Sequence, residues 1–171
     1  VAAEPWSVKE RLGLEKSAVG FFLSGHLFDQ SADEVRLFAK RRIADLLDSL
    51  QSMHRPVAES RGLRLRCVKS GLIVRTDPVL LQRILGNFID NALRYSHRGG
   101  VVVGCRRRNG RTFVEVCDSG IGIAEASLPR IWDEFYQAQS NRPLEPHHRK
   151  GLGLGLAIVK RLAGLMEAPI D

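Results

Sequence analysis

Between residues 31 and 53 apolar side chains recur at intervals of three and four: Val35, Phe38, Ile43, Leu46, Leu47, Leu50 and Met53. That is the period of a helix with one apolar stripe. Ser31 and Glu34 supply a capping-box pattern at its start. Pro56 interrupts the pattern, which can resume through Glu59 before Gly62. The period then drops to two. "LRLRCV" (63–68) alternates as a strand does, and "LIVRT" (72–76) reads as a second strand closed by Asp77-Pro78. Residues 79–95 return to the helical period, with Leu80, Leu81, Ile84, Leu85, Phe88, Ile89 and Ala92 on one broad face. "VVVGCRRR" and "RTFVEVC" flank Asn109-Gly110, a hairpin signal. Residues 138–150, "AQSNRPLEPHHRK", carry two prolines and almost nothing to bury, and read as a loop. "LGLGLAIVKRLAGLM" then opens on glycines and continues as an amphipathic helix. No internal repeat is visible.

Composition narrows the class. The 171 residues fit one domain with a short appendage, and an apolar fraction of 44% supports an ordinary core. No apolar run reaches the roughly 18 residues a membrane span needs. The charged residues Glu4, Lys9, Glu10, Arg11, Glu15 and Lys16 exclude a signal peptide at the start of this sequence. Cys67, Cys105 and Cys117 lack metal-type spacing and lie in strand-like runs, so they read as reduced, cytosolic packing residues. The net charge of +7 suits nucleic acid, an acidic partner or a polyphosphate. The densest basic cluster, Arg106-Arg107-Arg108, sits beside the hairpin turn and reads as a solvated strand end. No aromatics interleave with base-reading side chains, which argues against nucleic acid.

Three short stretches carry candidate chemistry. Asn87 and Asn91 are four apart, hence on one helix face. They are either two surface amides or a pair of oxygen donors for a hard cation such as Mg²⁺. Gly151, Gly153 and Gly155 feed a helix start, where free N–H groups and the positive dipole end suit phosphate. A flexible hinge would use the same glycines, and the pattern is neither a P-loop nor a dinucleotide fingerprint. Asp118 ends a strand in "CDSGIGI". It is either a turn cap or an acceptor for an exocyclic amine such as adenine's, with Gly120 and Gly122 letting a flat ring approach the backbone.

Taken in order, Asn87-x-x-x-Asn91, Asp118-x-Gly120-x-Gly122, Phe135 and Gly151-x-Gly153-x-Gly155 resemble the ATP-binding catalytic domain of bacterial sensor histidine kinases, and "RIWDEFYQ" looks most like hybrid sensor kinases. The wider ATPase fold is shared with gyrase B and MutL. The resemblance runs over about 44–171. It implies an α/β fold of the α+β two-layer kind, the Bergerat ATP-binding fold: a mixed sheet covered on one face by helices, with ATP between the helix layer and a lid. It implies ATP and Mg²⁺ as cofactors, with Asn91 as the metal ligand and catalytic residue and Asn87 beside it in both roles. Arg94 stands where the family often has a phosphate-binding lysine, and Tyr95 where an aromatic covers the adenine. Asp118 takes the adenine amine, while Gly120, Gly122 and Ile123 shape the base pocket and Phe135 belongs to the same site. Gly151, Gly153, Leu154 and Gly155 offer backbone to the phosphates. Residues 138–150 are the implied lid, from which His148, Arg149 and Lys150 reach the γ-phosphate. The implied function is to position Mg-ATP for phosphoryl transfer to a histidine on a separate dimerisation domain. A response regulator is the further partner, the location is cytoplasmic, and no direct membrane contact is expected. The ATPases of the gyrase B type carry a water-activating Glu where this chain has Asn87, which argues against simple hydrolysis.

Two departures shape expectations. The family's phosphorylated histidine lies in a dimerising hairpin, in a His-Glu/Asp-x-Arg context, and neither His26 nor His54 matches it. The sequence ends at "EAPID", where the family continues into closing strands, so the sheet is expected to lack its last strands and to expose an unpaired edge. Residues 1–43 are not kinase-like. "EKSAVGFFLSGH" resembles a segment of the alpha subunit of bacterial DNA polymerase III that carries no catalytic carboxylates. These residues are therefore expected to form an extra helical segment, foreign or fused, that packs weakly against 44–171. A nucleic-acid-associated polymerase fragment is the alternative function this raises.

Overall fold

A computed structural model of the chain describes residues 17–23, 39–108, 111–138 and 151–170; in 17–23, 39–41 and at Arg75 only the backbone is described. In chain order the elements are β1 (Ser17–Leu23), β2 (Ala39–Arg42), α1 (Ile43–Ser60), β3 (Arg64–Cys67), β4 (Ile73–Thr76), α2 (Pro78–Tyr95), β5 (Gly100–Arg108), β6 (Arg111–Asp118), a 3-10 helix (Glu125–Arg130) and α3 (Gly155–Leu165).

α2 forms where the pattern places it. The Asp77 carboxylate accepts from the N–H groups of Val79 at 2.8 Å and Leu80 at 3.1 Å, and Pro78 needs no partner at the first helical position. Leu81, Ile84, Leu85, Phe88, Ile89, Ala92 and Leu93 are buried on its inner face. Each of the larger ones is worth roughly 1.5–3 kcal/mol relative to exposure.

The hairpin is also as expected. β5 and β6 pair antiparallel from Val101↔Asp118 to Arg108↔Arg111, and β3 joins β5 in parallel. The resulting sheet has the order β1-β6-β5-β3. The period of two sends Val101, Val103, Cys105, Val114 and Val116 into the core shared with α1, α2 and α3. This is the two-layer mixed sheet the resemblance implies. Arg106, Arg107 and Arg108 are exposed at the far end, with Arg106 paired to Glu115. The three cysteines are buried free thiols, and burial pushes Cys67 and Cys117 up to about 11 and Cys105 up to about 12.

Three expectations need correction. The helix does not begin before Ile43: Ala39–Arg42 is a strand paired antiparallel with β4. The capping-box residues Ser31 and Glu34, with Val35 and Phe38, lie outside the described residues. Second, Met53 is not in the apolar stripe. It is 56% exposed, and His54 takes the inner position at 6%. Third, the N-terminal part is not purely helical: Ser17–Leu23 pairs antiparallel with β6 from Ser17↔Asp118 to Leu23↔Thr112, so the backbone donors and acceptors on that side of β6 are met within the chain. As the pattern allows, the helix resumes past Pro56, and α1 continues to Ser60 with both Pro56 and Ser52, whose carbonyl loses its N–H partner there, exposed.

Candidate nucleotide site

The site is assembled around the C-terminal half of α2. Asn87 and Asn91 are both half-buried on that helix. The Asn87 Nδ2–H donates to the Arg83 carbonyl at 2.8 Å, which leaves Oδ1 for another partner. That oxygen is directed at α3: a Cβ placed on Gly155 would lie 3.2 Å from Asn87 Oδ1 and 3.8 Å from Asn91 Oδ1. The residue that opens α3 therefore sits over both amides with no side chain between. One turn further along α2, the Arg94 guanidinium abuts Gly151, and the Gln137 side chain donates to the Gly151 carbonyl.

The glycine turn is also locked to the aromatic stretch Phe135-Tyr136. Gly153 adopts φ +70°, and a Cβ there would lie 2.8 Å from both the Phe135 carbonyl carbon and the Tyr136 oxygen. Only glycine meets both conditions. Phe135 donates its N–H to the Gly153 carbonyl at 3.0 Å and is itself held at φ 62°, with 69% of the residue exposed. A bulky residue in the left-handed region stores strain, which commonly marks a working site. Arg161 of α3 pairs with Glu134 at 2.6 Å and ties the two segments a second time.

Asp118 ends β6, half-buried, with its Oδ1 accepting from the Gly120 N–H at 2.8 Å. One carboxylate oxygen thus caps its own turn, and the other has no protein partner among the described residues. Burial raises the carboxyl above its usual range, and the Gly120 hydrogen bond offsets part of that rise. The loop hangs on the end of α2: the Ile121 N–H donates to the Tyr95 carbonyl at 3.2 Å, and a Cβ on Gly120 would press on that carbonyl. Gly122 takes φ +73°, Ile123 is half-buried and Tyr95 is 39% exposed.

The described candidates thus lie on α2, on the loop after β6 and the glycine turn that lean on it, and, for Phe135, on the segment that holds the glycine turn. Lys150, with His148 and Arg149, lies outside the described residues, as does His26. His54 is remote in chemistry: its Nδ1 hydrogen-bonds the Leu50 carbonyl at 2.9 Å and its Nε2 is 3.5 Å from Asp90. An open groove of about 360 Å³ beside it, lined by Leu50, Met53, His54, Val79, Arg83 and Asp90 among others, shares only Asn87 with the candidates. Cavity size therefore does not mark this site; the seating of the glycine turn against Asn87, Asn91 and Arg94, and of the Asp118 loop against Tyr95, does. Pattern reading missed Gln137 and Ser119, whose side chains act on backbone groups far away in the chain.

Residues 76–171 match the family described as histidine kinase-, DNA gyrase B-, and HSP90-like ATPase. This chain belongs to that family. The sensor histidine kinase CusS of Escherichia coli (strain K12) is 34% identical over 152 residues, 86% of this chain and 31% of the relative. An alignment over that share of the chain reaches back into the residues before Ile43. The sensor histidine kinase YkoH of Bacillus subtilis (strain 168) is 35% identical over 69% of this chain and 24% of the relative. This chain thus spans about a third or less of the curated relatives it matches. Among solved structures, full-length ShkA in complex with AMPPNP is 30% identical, with TM-score 0.62 over 76% of this chain and 26% of that one. The catalytic domain of the histidine kinase ThkA shares the fold at TM-score 0.62 and 18% identity, over 75% of this chain and 81% of that one. No helix among the described residues is long and apolar enough to cross a membrane.

Proposed function

We propose that this chain is the ATP-binding catalytic module of a two-component sensor histidine kinase, holding Mg-ATP for phosphoryl transfer to a histidine on a separate dimerisation domain. The observation that supports it most is the seat of Gly155 against both Asn87 and Asn91. A helix start, which favours phosphate, meets a pair of amide oxygens, which favour a hard cation. Those two chemistries belong together in a metal-bound polyphosphate.

In this reading Asp118 accepts the adenine 6-amine with the oxygen that Gly120 leaves free. Gly120, Gly122 and Ile123 flank the base with Tyr95, and Phe135 braces the turn of Gly153. The N–H groups of Gly151, Gly153, Leu154 and Gly155 hold phosphate oxygens, and Arg94 adds a cation beside Gly151. Asn87 Oδ1 and Asn91 suit Mg²⁺, since both amides offer a neutral oxygen on one helix face and both meet the side-chain-free Gly155, with the Asn91 Nδ2 and Oδ1 at 3.6 and 3.8 Å from where its Cβ would be. When bound, Mg²⁺ neutralises charge that builds on the phosphate oxygens. The residues need do little covalent chemistry; they align the γ-phosphate, and positioning supplies the rate. Lys150 of the lid, with His148 and Arg149, would complete the γ-phosphate contacts.

The partners on this reading are the dimerisation domain and a response regulator with its receiver domain, in the cytoplasm, without direct membrane contact. The module itself occupies 44–171. The likeness of "EKSAVGFFLSGH" to the polymerase III alpha subunit supports a separate origin for the start of residues 1–43, which contribute the strands β1 and β2 and no polymerase chemistry, while the likeness to CusS reaches back into the later part of them. A hydrolysing ATPase is disfavoured, because an asparagine at position 87 is no base for water.

Calorimetric titration with ATP, with and without Mg²⁺, tests the reading. Binding that strengthens with Mg²⁺, and transfer of γ-phosphate to an added histidine-bearing dimerisation domain of a related kinase, are the expected results. No binding would end it; binding with steady release of free phosphate and no transfer would favour the hydrolase.

A further inference from the structure

Ser119 stands between the carboxylate assigned to the purine and the glycines beside it, and its hydroxyl is engaged from two sides. Its Oγ donates to the Arg98 carbonyl at 2.6 Å and accepts from the Gly100 N–H at 2.9 Å, with the Gly100 carbonyl as a second, longer acceptor at 3.2 Å. Its own N–H donates to the Gly100 carbonyl at 3.2 Å. All of these partners lie in the turn that carries α2 into β5. That turn is shaped around the hydroxyl: Gly99 adopts φ +87°, and a Cβ there would overlap Ser119 Oγ.

The consequence falls on Asp118. Its rotamer is set by the Gly120 N–H, so the direction of its free oxygen depends on where residues 119–121 sit. Three sets of bonds hold that stretch: the Ile121 N–H on the Tyr95 carbonyl at the end of α2, the Ser119 N–H on the Gly100 carbonyl, and the Ser119 side chain on the 98–100 turn. With the side chain gone the two main-chain bonds remain, but nothing ties the loop to the Arg98 carbonyl, and the Gly120 N–H can shift and carry the carboxylate with it. Neighbouring residues cannot substitute, because Gly120 and Gly99 have no side chains.

We propose that Ser119 is a positioning residue for base specificity, clamping the 118–121 loop to the 98–100 turn so that the free oxygen of Asp118 meets the exocyclic amine of the purine. This rests on the reading of Asp118 given above. A merely structural serine would affect every ligand of the site alike, whereas this role predicts a loss confined to the amine. Inosine diphosphate, which has a carbonyl in place of that amine, separates the two.

The experiment is calorimetry of the full chain with adenosine diphosphate and inosine diphosphate. Wild type should prefer the adenine nucleotide by roughly 10- to 100-fold, the range of a hydrogen bond to a charged acceptor. Ser119→Ala should reduce that preference to about 3-fold or less while holding inosine diphosphate within about twofold of wild type, because only the charged hydrogen bond is lost. Should Ser119→Ala fail to fold, Ser119→Cys keeps the shape with a weaker donor and should give an intermediate ratio. A wild-type ratio in the variant that folds overturns the inference, as does an equal weakening of both ligands. Absence of any preference in wild type would instead remove Asp118 from the base site, and the inference with it.

Discussion

Replacing Asp118 by asparagine should move affinity and stability in opposite directions. Asparagine can keep the turn, because its Oδ1 can still accept from the Gly120 N–H as the carboxylate does at 2.8 Å. Its remaining group is then an NH₂, a donor facing the donor amine of adenine. A charge-assisted hydrogen bond is lost and nothing replaces it, which weakens ATP binding by about 1.5–3 kcal/mol, or roughly 10- to 100-fold. The folded state meanwhile loses a desolvated charge. Burial raises the Asp118 carboxyl above its usual value of 3.8, so the folded chain holds that proton more tightly than the unfolded chain. The stability this contributes is fully present below the unfolded value and is lost as pH rises through the raised folded one. The nucleotide-free variant should therefore melt no lower than wild type at neutral pH, and its advantage should shrink as pH falls back through that acid window. Calorimetric titration with ATP and thermal melts from the acid range to neutrality measure both halves. Unchanged ATP affinity would remove Asp118 from the base site, and a variant that melts well below wild type at neutral pH would show that the carboxylate stabilises the loop in a way the asparagine cannot copy.

Asn91→Ala should reduce the strengthening of ATP binding by Mg²⁺ more than it reduces binding without metal; the same Mg²⁺ response in titrations of both proteins would make Asn91 a surface amide. Gly153→Ala should cost at least about 1–2 kcal/mol for a Cβ in the left-handed region, before the overlap with Phe135 and Tyr136 is counted. A melt indistinguishable from wild type would show that the turn can relax. Finally, His54 should not be labelled from γ-labelled ATP, because it is only 6% exposed, its Nδ1 is hydrogen-bonded to the Leu50 carbonyl at 2.9 Å and its Nε2 stands 3.5 Å from Asp90. An acid-labile, base-stable phosphate mapped to His54 would contradict that reading.

The elements legible in the sequence are those whose ends are made locally. α2 carries its own start signal, since Asp77 caps the helix that Pro78 opens, and the paired strands β5 and β6 are announced by the turn signal Asn109-Gly110, which itself lies outside the described residues. The start of α1 has no such signal. Arg42 precedes it without a side-chain cap, and the Ile43 N–H is instead met by the Leu72 carbonyl at 3.1 Å. With the donor satisfied from thirty residues away, nothing local stopped the apolar period from running back through Ala39–Arg42, where pairing to β4 overrides helix propensity. β1 is the extreme case. Its strand character depends on β6, an edge formed nearly a hundred residues later, so a helical reading of that segment had no local evidence against it.

The site divides along the same line. Asn87 and Asn91 on one helix face, Asp118 at a strand exit and glycines before a helix are each ambiguous alone, because a surface amide, a turn cap and a hinge use the same residues. The fold removes part of that ambiguity by contact: Gly155 against both asparagines, Arg94 against Gly151, and the Asp118 loop on the Tyr95 carbonyl. Asp118 caps its own turn with one oxygen and leaves the other without a partner among the described residues, so the turn reading is met and the acceptor reading stays open, which a choice between cap and acceptor could not express. Ser119 had no pattern to reveal it. Its partners are main-chain atoms of Arg98 and Gly100, which any sequence supplies, and only the register Val101↔Asp118 brings them opposite. Residues whose side chains carry the proposed ligand chemistry can be read from the sequence. One that acts by binding backbone across a sheet can be read only once the strands are paired.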